Sequence, residues 1–293
     1  MLLSIVTPAY NRAHLLGRCY DSLRKQTDMD FEWIIVDDGS IDNTREVCEK
    51  IAAEENNFPV RYIWKENGGK HTALNAAHPY LHGRYVLILD SDDFLTEDAV
   101  EEVRKGWKLY EDNEEIGLIT FLKGEDINHP NCYAKDEYKI VDIIRYQRTC
   151  VRSSDCCEVI RTELFKQYPF PVIKGERFLA ETPLWYRVGY HKKCVYINKV
   201  IYICEYLEGG LTDGGRSMRT KNPKGGMYTS YLRMHPHCLM KERVRAALLY
   251  VCYGHYAGYG FLPMLRQAKS CACLVGLAYL PGSLLYLVWK RKY

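Results

Sequence analysis

Phe31-Glu32-Trp33-Ile34-Ile35-Val36-Asp37-Asp38-Gly39-Ser40 sets the fold of this chain. An apolar run from Phe31 to Val36 reads as a buried strand, and the acids and glycine that follow read as a turn. Asp42 or Asn43 can then cap a helix carrying Val47 and Ile51 on one face. The same unit precedes it. Leu2 to Thr7 is a short apolar run closed by Pro8, and Leu15, Leu16, Cys19, Tyr20 and Leu23 recur at helical spacing. It also repeats downstream. Val60 to Trp64 reads as a strand. A Gly68-Gly69 break leads into a helix with Ala73, Leu74, Ala76 and Ala77. Tyr85 to Leu89 is a strand ending in acids, Val100, Val103 and Trp107 mark a helix, and Ile116 to Leu122 is a further strand. Apolar strands alternating with helices predict an α/β fold, a mostly parallel sheet flanked by helices.

The rhythm loosens after Asn128. Cys157 to Arg161 reads as a strand before a short helix, Phe178 to Tyr190 is helical in pattern, and Cys194 to Tyr206 suits one or two strands. Gly209 to Gly226 is a glycine-rich, basic loop, and the pattern beyond Met227 is helical. Composition excludes a disordered or fibrous chain: 47% of residues are apolar and 26% charged. A net charge of +3 gives no reason to expect nucleic acid. The twelve cysteines contain no C-x-x-C pair, and Asn11-Arg12 comes too early for a secretory leader, so buried free thiols in a reducing cytoplasm are expected.

In open α/β sheets ligands bind beyond the carboxyl ends of the strands. Three polar clusters fall there: Thr7 to Arg12, Asp37-Asp38-Gly39-Ser40, and Asp90-Ser91-Asp92-Asp93. Each by itself is an ordinary turn, but three on one edge point to a site. Carboxylate oxygens suit Mg²⁺ or Mn²⁺, which bind substrate phosphates. Asp90 and Asp92, at i and i+2 of an extended segment, would point the same way, one to a metal and one to a hydroxyl. Asp38 could accept an N–H from a base, Tyr10 could stack on one, and Lys70 offers a point charge for a phosphate or a carbonyl. A P-loop is excluded at Glu66 to His71, because Trp64 stands where its first glycine belongs and His71 replaces Ser/Thr. No G-x-G-x-x-G follows the first strand, and Phe94 replaces the Thr of a haloacid-dehalogenase-type phosphatase motif.

The order Ser4-Ile5-Val6-Thr7-Pro8-Ala9-Tyr10-Asn11-Arg12, Ile35-Val36-Asp37-Asp38-Gly39-Ser40-Ile41-Asp42-Asn43-Thr44 and Leu89-Asp90-Ser91-Asp92-Asp93 resembles family 2 of the inverting glycosyltransferases. The resemblance implies the GT-A fold, Rossmann-like, with a nucleotide-sugar donor, UDP-sugar most often, and Mn²⁺ or Mg²⁺. It implies that Pro8, Tyr10, Asn11 and Arg12 line the nucleotide pocket and that Asp38 meets the base with Asn67 and Lys70 close by. Asp90 would approach the ribose or the waters on the metal, and Ser91 would belong to the donor-binding set. Asp92, with Asp90, would hold the metal. Relatives carry Glu-Asp at the start of a helix, where this chain has Glu181-Thr182, so Glu181 is the expected catalytic base and Glu176 its reserve. Arg216, Arg219, Lys221 and Lys224 could close over a diphosphate, and His235 and His237 could add a metal ligand.

The expected domains are a catalytic domain over 1–226, with a nucleotide-sugar half over 1–122 and an acceptor half over 123–226, and a helical region over 227–293. Cys271 to Trp289 carries no charged residue and precedes Lys290-Arg291-Lys292, while Pro281-Gly282-Ser283 interrupts it. The length approaches the ~20 apolar residues of a membrane-spanning helix, and two short helices meeting at that turn fit at least as well. They would lie on the inner face of the cell membrane, span it, or pack in a homo-oligomer. The expected reaction is inverting transfer of a sugar to a glycan, polysaccharide or lipid-linked acceptor. A sugar-nucleotide nucleotidyltransferase and a non-catalytic nucleotide-sugar-binding scaffold are the competing readings.

Overall fold

The computed structural model describes residues 1–149, 155–204 and 215–292. Two compact units form, one from Met1–Phe170 with His191–Tyr206, the other from Pro171–Tyr190 with Leu207–Tyr293. The first begins β1 (Leu3–Ala9), α1 (Leu16–Arg24), β2 (Phe31–Asp37), α2 (Thr44–Ala53), β3 (Val60–Trp64), α3 (Lys70–Ala77), β4 (Tyr85–Ile88), β5 (Phe94–Leu95), α4 (Ala99–Lys108). It continues with β6 (Ile116–Asp126), β7 (His129–Pro130), β8 (Ile140–Asp142), α5 (Ile143–Thr149), β9 (Cys156–Arg161), α6 (Thr162–Gln167) and, after a segment of the other unit, β10 (Lys193–Ile203).

The strands form one sheet in the order β3-β2-β1-β4-β9-β6-β10-β5, with β7 and β8 on β6 and β10. The half built from β3, β2, β1 and β4 is parallel, as the strand–helix alternation predicts. The second half is mixed. β9 enters antiparallel between β4 and β6, so the two strands consecutive in the sequence reading are separated. β1 and β2 are buried on both faces, which their near-continuous apolar runs require. Pro8 lies beyond the point where β4 stops pairing with β1, at Val6, so its missing N–H removes no bond to that neighbour. Trp33 stacks on Tyr20 of α1 at 5.9 Å, and Trp107 of α4 on Tyr85 of β4 at 4.0 Å. Val100, Val103 and Trp107 face the sheet, while Glu101 and Glu102 open α4 and Lys105 and Lys108 close it, matching the helix dipole.

The second unit holds α7 (Thr182–Gly189), α8 (Gly215–Lys221), α9 (Pro223–Arg233), α10 (Met240–Tyr256), α11 (Phe261–Ala268) and α12 (Ala272–Lys290). Its core gathers Met227, Met234, Tyr250, Val251, Tyr253, Met264, Val275 and Trp289. Three expectations need correction. The basic loop over 209–226 is helical from Gly215 to Lys221 and again from Pro223, residues 209–214 lying outside the described residues. The helix expected from Phe178 begins at Thr182, because the backbone N–H groups of Arg177 and Phe178 bond to Asn222 Oδ1 instead. Helix α12 runs unbroken through Pro281, and the break falls at Lys269, whose φ is 49°. An interior proline costs about 3 kcal/mol. Here packing offsets it: a Cβ at Gly282 would lie 2.7 Å from Val251 Cβ, so α10 and α12 pack backbone-close, and Ser283 Oγ bridges His255 Nε2 and the Tyr279 carbonyl at 2.7 Å each.

Candidate active site

The carboxyl ends of β1 and β2 are stitched to each other. Asn11 adopts a left-handed conformation (φ 53°), its N–H donates to Ser40 Oγ at 2.9 Å and its Oδ1 accepts from Ile41 N at 2.9 Å. Arg12 N donates to Thr44 Oγ1 at 2.8 Å. Asp37 receives Ser40 N and the Tyr62 hydroxyl. Asn11 therefore shapes the edge with its side chain, whereas Tyr10, 43% exposed, presents a ring at the end of β1.

Asp38 organises the next loop. Its carboxylate, 4% exposed, accepts Lys65 Nζ (2.6 Å), Gly68 N (3.0 Å), Gly69 N (2.6 Å) and, more weakly, Asn67 Nδ2 (3.3 Å). Gly39 is required here, because its φ is +77° and a Cβ would stand 2.7 Å from Asn67 N. A base N–H could reach Asp38 by replacing Asn67, the longest of the four contacts. Lys65, absent from the sequence reading, neutralises this buried acid; its place directly after β3 was the available signal.

Asp90 to Asp93 is a β-turn closed by Asp93 N to Asp90 O at 3.1 Å, with Ser91 and Asp92 at its tip. This corrects the extended geometry expected for Asp90 and Asp92, which would have set both side chains on one face of a strand. Asp90 pairs with Lys70 Nζ at 2.5 Å. Burial opposes the Asp90 carboxylate, but Lys70, with Lys123 and Arg12 nearby, holds its carboxyl below the usual range. Burial, with the charge of Asp90, pushes Asp93 up to about 7, against a hydrogen bond from Tyr202. Ser91 is buried in the turn, Asp92 is partly exposed, and Arg18 donates to the Asp92 carbonyl at 3.3 Å. Lys123 is buried behind the turn. Burial alone would lower its pKa, yet Asp155 and Asp90 raise it well above the usual value.

In the second unit, Glu181 occupies the N-cap position of α7, its carbonyl accepting Leu184 N at 2.8 Å. Glu176 is engaged: its two oxygens accept Lys224 N and Gly225 N at 2.8 Å each, at the first turn of α9. Arg216 lies over the Trp289 ring at 5.1 Å, and His235 stacks on Tyr190 at 4.1 Å. No group of three or more His, Cys, Asp or Glu suited to a metal occurs among the described residues.

The family model described as Glycosyl transferase family 2 matches residues 4–168, which spans every strand of the parallel half. Chondroitin synthase of Pasteurella multocida (strain Pm70) is 50% identical over 100 residues, which is 34% of this chain and 10% of the synthase. Hyaluronan synthase of Pasteurella multocida matches to the same extent, so this chain covers a tenth of the length of either protein. Glycosyltransferase GlyG of Streptococcus pneumoniae serotype 4 is 28% identical over 228 residues, 72% of each chain. Among solved structures, S. aureus TarS 1-349 in complex with UDP-GlcNAc superposes with a TM-score of 0.64 at 17% identity, covering 87% of this chain and 72% of that one. Mannosyltransferase PcManGT from Pyrobaculum calidifontis, in complex with GDP-Man and Mn²⁺, gives 0.57 at 16% identity, covering 97% and 83%. At those identities the structures speak for the fold, which is GT-A. With more than half its length matched by the family model, the chain belongs to glycosyl transferase family 2.

Proposed function

We propose that this chain transfers a sugar from a nucleotide diphosphate donor, a UDP-sugar in the first instance, to a hydroxyl of a glycan, polysaccharide or lipid-linked acceptor, with inversion. The observation that carries the reading is the gathering of Tyr10, the Asp38 loop, the Lys70–Asp90 pair and the Asp92 turn on one sheet edge. Tyr10 offers a face for the base. Lys70 can leave Asp90 for a phosphate oxygen as the donor enters, one cation serving two anions in turn. Asp92, with Asp90, would hold a divalent cation, whose chemistry is to neutralise the departing diphosphate. Two carboxylates are a fitting donor set when phosphate oxygens and waters complete the shell, and too few for a cage made by protein alone. Such an ion should bind with the nucleotide rather than before it.

In the transfer the acceptor oxygen bonds to the anomeric carbon as the bond from that carbon to the diphosphate breaks. The acceptor proton passes to a carboxylate. We assign that role to Glu181, at the N-cap position of α7. Turnover of a panel of nucleotide sugars, with and without Mn²⁺, tests the reading. Release of nucleoside diphosphate that requires Mn²⁺ supports it. Pyrophosphate formation from a nucleoside triphosphate would replace it with nucleotidyl transfer.

We also infer a peripheral site at the cytoplasmic membrane surface. Leu277, Leu280, Leu284, Leu287 and Val288 are exposed along one face of α12, and Lys290, Arg291 and Lys292 follow. The opposite face, with Val275, Ala278, Gly282 and Trp289, is already buried, which suits a helix lying in the interface of an anionic leaflet rather than crossing it. Flotation with anionic vesicles that Leu280→Lys abolishes supports this. A concentration-dependent dimer that ignores vesicles would assign the face to a second copy.

A further inference from the structure

The Asp90–Asp93 turn is held from a part of the chain that no motif marks. Tyr202 lies on β10, is fully buried, and is fixed on both sides, with Lys123 of β6 as its parallel partner and Leu95 of β5 as its antiparallel one. Its hydroxyl accepts the Asp90 N–H at 2.9 Å and donates to Asp93 Oδ2 at 2.7 Å. The ammonium of Lys123 sits 4.1 Å from the centre of its ring and pairs with Asp155 at 3.1 Å. One oxygen atom on a rigid strand thus holds both ends of a four-residue turn. On either side the chain is tied by Leu89 N to Val6 O at 3.0 Å and by the pairing of Ile203 with Phe94. Asp93 spends a carboxylate oxygen on this clamp.

We propose that Tyr202 is a positioning residue for the cation-and-diphosphate end of the donor site. It acts through the turn, and the assignment rests on the transferase reading above. Free turns sample many conformations, and ordering one at the moment of binding weakens the ligand by the cost of that ordering. A hydroxyl that fixes the turn beforehand removes the cost. Partners that orient a metal's ligands typically change metal affinity about 10- to 100-fold when removed. Clamping acts on the diphosphate end and leaves the base end, at Tyr10 and Asp38, untouched.

Tyr202→Phe deletes the hydroxyl and keeps the ring, its packing and the Lys123 contact. The experiment is calorimetric titration of the full chain with UDP and Mn²⁺, and separately with uridine. The expected result is an about 10-fold or greater loss of Mn²⁺-dependent UDP affinity with uridine binding unchanged. Asp93→Ala breaks the same clamp from the other end. It leaves the Asp90 N–H bond to the hydroxyl in place, so it should lose UDP affinity in the same Mn²⁺-dependent way but by no more than Tyr202→Phe, and the double variant should lose no more than Tyr202→Phe alone, because the bond that Asp93→Ala removes is already gone there. If Tyr202→Phe does not fold, Asp93→Ala carries the test with the same two ligands. Equal loss of UDP and uridine, or parental UDP affinity in the variant, overturns the proposal. A parent chain that binds UDP no better with Mn²⁺ overturns instead the transferase reading on which it rests.

Discussion

β2 carries a buried acid at each end, and the two behave differently. Glu32, at the amino end, accepts Ser4 Oγ and His82 N at 2.6 Å and Gly83 N at 3.3 Å, with His82 Nδ1 3.0 Å from its other oxygen. Asp38, just past the carboxyl end, accepts as many donors, but one is the ammonium of Lys65 and two are backbone N–H groups of a glycine pair. At the amino end the acid closes the chain on itself: a Cβ at Gly83 would stand 2.4 Å from Ser4 N. At the carboxyl end it shapes a loop that leaves Tyr10 and Asp92 partly open. Burial and full hydrogen bonding therefore do not by themselves mark a site. The carboxyl edge differs in having lysines beside its acids, able to exchange partners with an incoming anion, and a turn with a partly exposed acid at its tip.

Substitutions can break or sharpen this contrast. The largest effect is expected at Asp92. Asp92→Asn should lower Mn²⁺-dependent transfer by about 10²- to 10³-fold, on the scale of losing one group that stabilises developing charge. Its melting temperature should stay at the parental value, since Asp92 is partly exposed. Asp38→Asn should do two things together. Leaving Lys65 without its buried partner costs about 3 kcal/mol in denaturant unfolding, and UDP affinity falls as the 65–69 loop loosens. Glu32→Gln should touch stability alone, by about 1–3 kcal/mol, with KM for the donor unchanged. An effect of Glu32→Gln on donor KM would erase the distinction between the two ends.

The Glu32 loss has a pH signature. Burial pushes its carboxyl up, but the hydrogen bonds from Ser4 and His82 outweigh burial and leave it below the usual range. A carboxyl depressed in the folded state contributes stability above its unfolded value, about 4.3, and loses it as pH falls through the folded value. The gap between parent and Glu32→Gln should therefore be full above about pH 5 and narrow below about pH 4. A gap that widens in acid would show that the bonds do not favour the ionised form.

The parallel half was legible because each element carries its own signal. Apolar runs end in Asp-Asp-Gly-Ser or Asp-Ser-Asp-Asp, and the helices between them have one apolar face. What connects distant segments was not. Tyr202 meets Asp93 across 109 residues, and β9 enters between β4 and β6 with nothing in its sequence to say where it pairs. Lys65 belongs to no motif, and its partner Asp38 lies 27 residues away. Asp90 and Asp92 read as a strand pair, because spacing does not distinguish an extended segment from a turn. In the second unit, α12 mixes apolar residues around its whole circumference, so the pattern gave no buried face, and Pro281 read as a break that packing against α10 overrides. The partners of Glu176 come from α9, 48 and 49 residues further along the chain, and no local pattern announces them.

The most direct test of the carboxyl edge as a nucleotide diphosphate site is titration of UDP into the parent chain and into Asp92→Asn, each with and without Mn²⁺. The parent should bind UDP more tightly with Mn²⁺, and Asp92→Asn should bind it equally in both conditions with its fold intact. Full Mn²⁺ enhancement retained in Asp92→Asn would contradict the account.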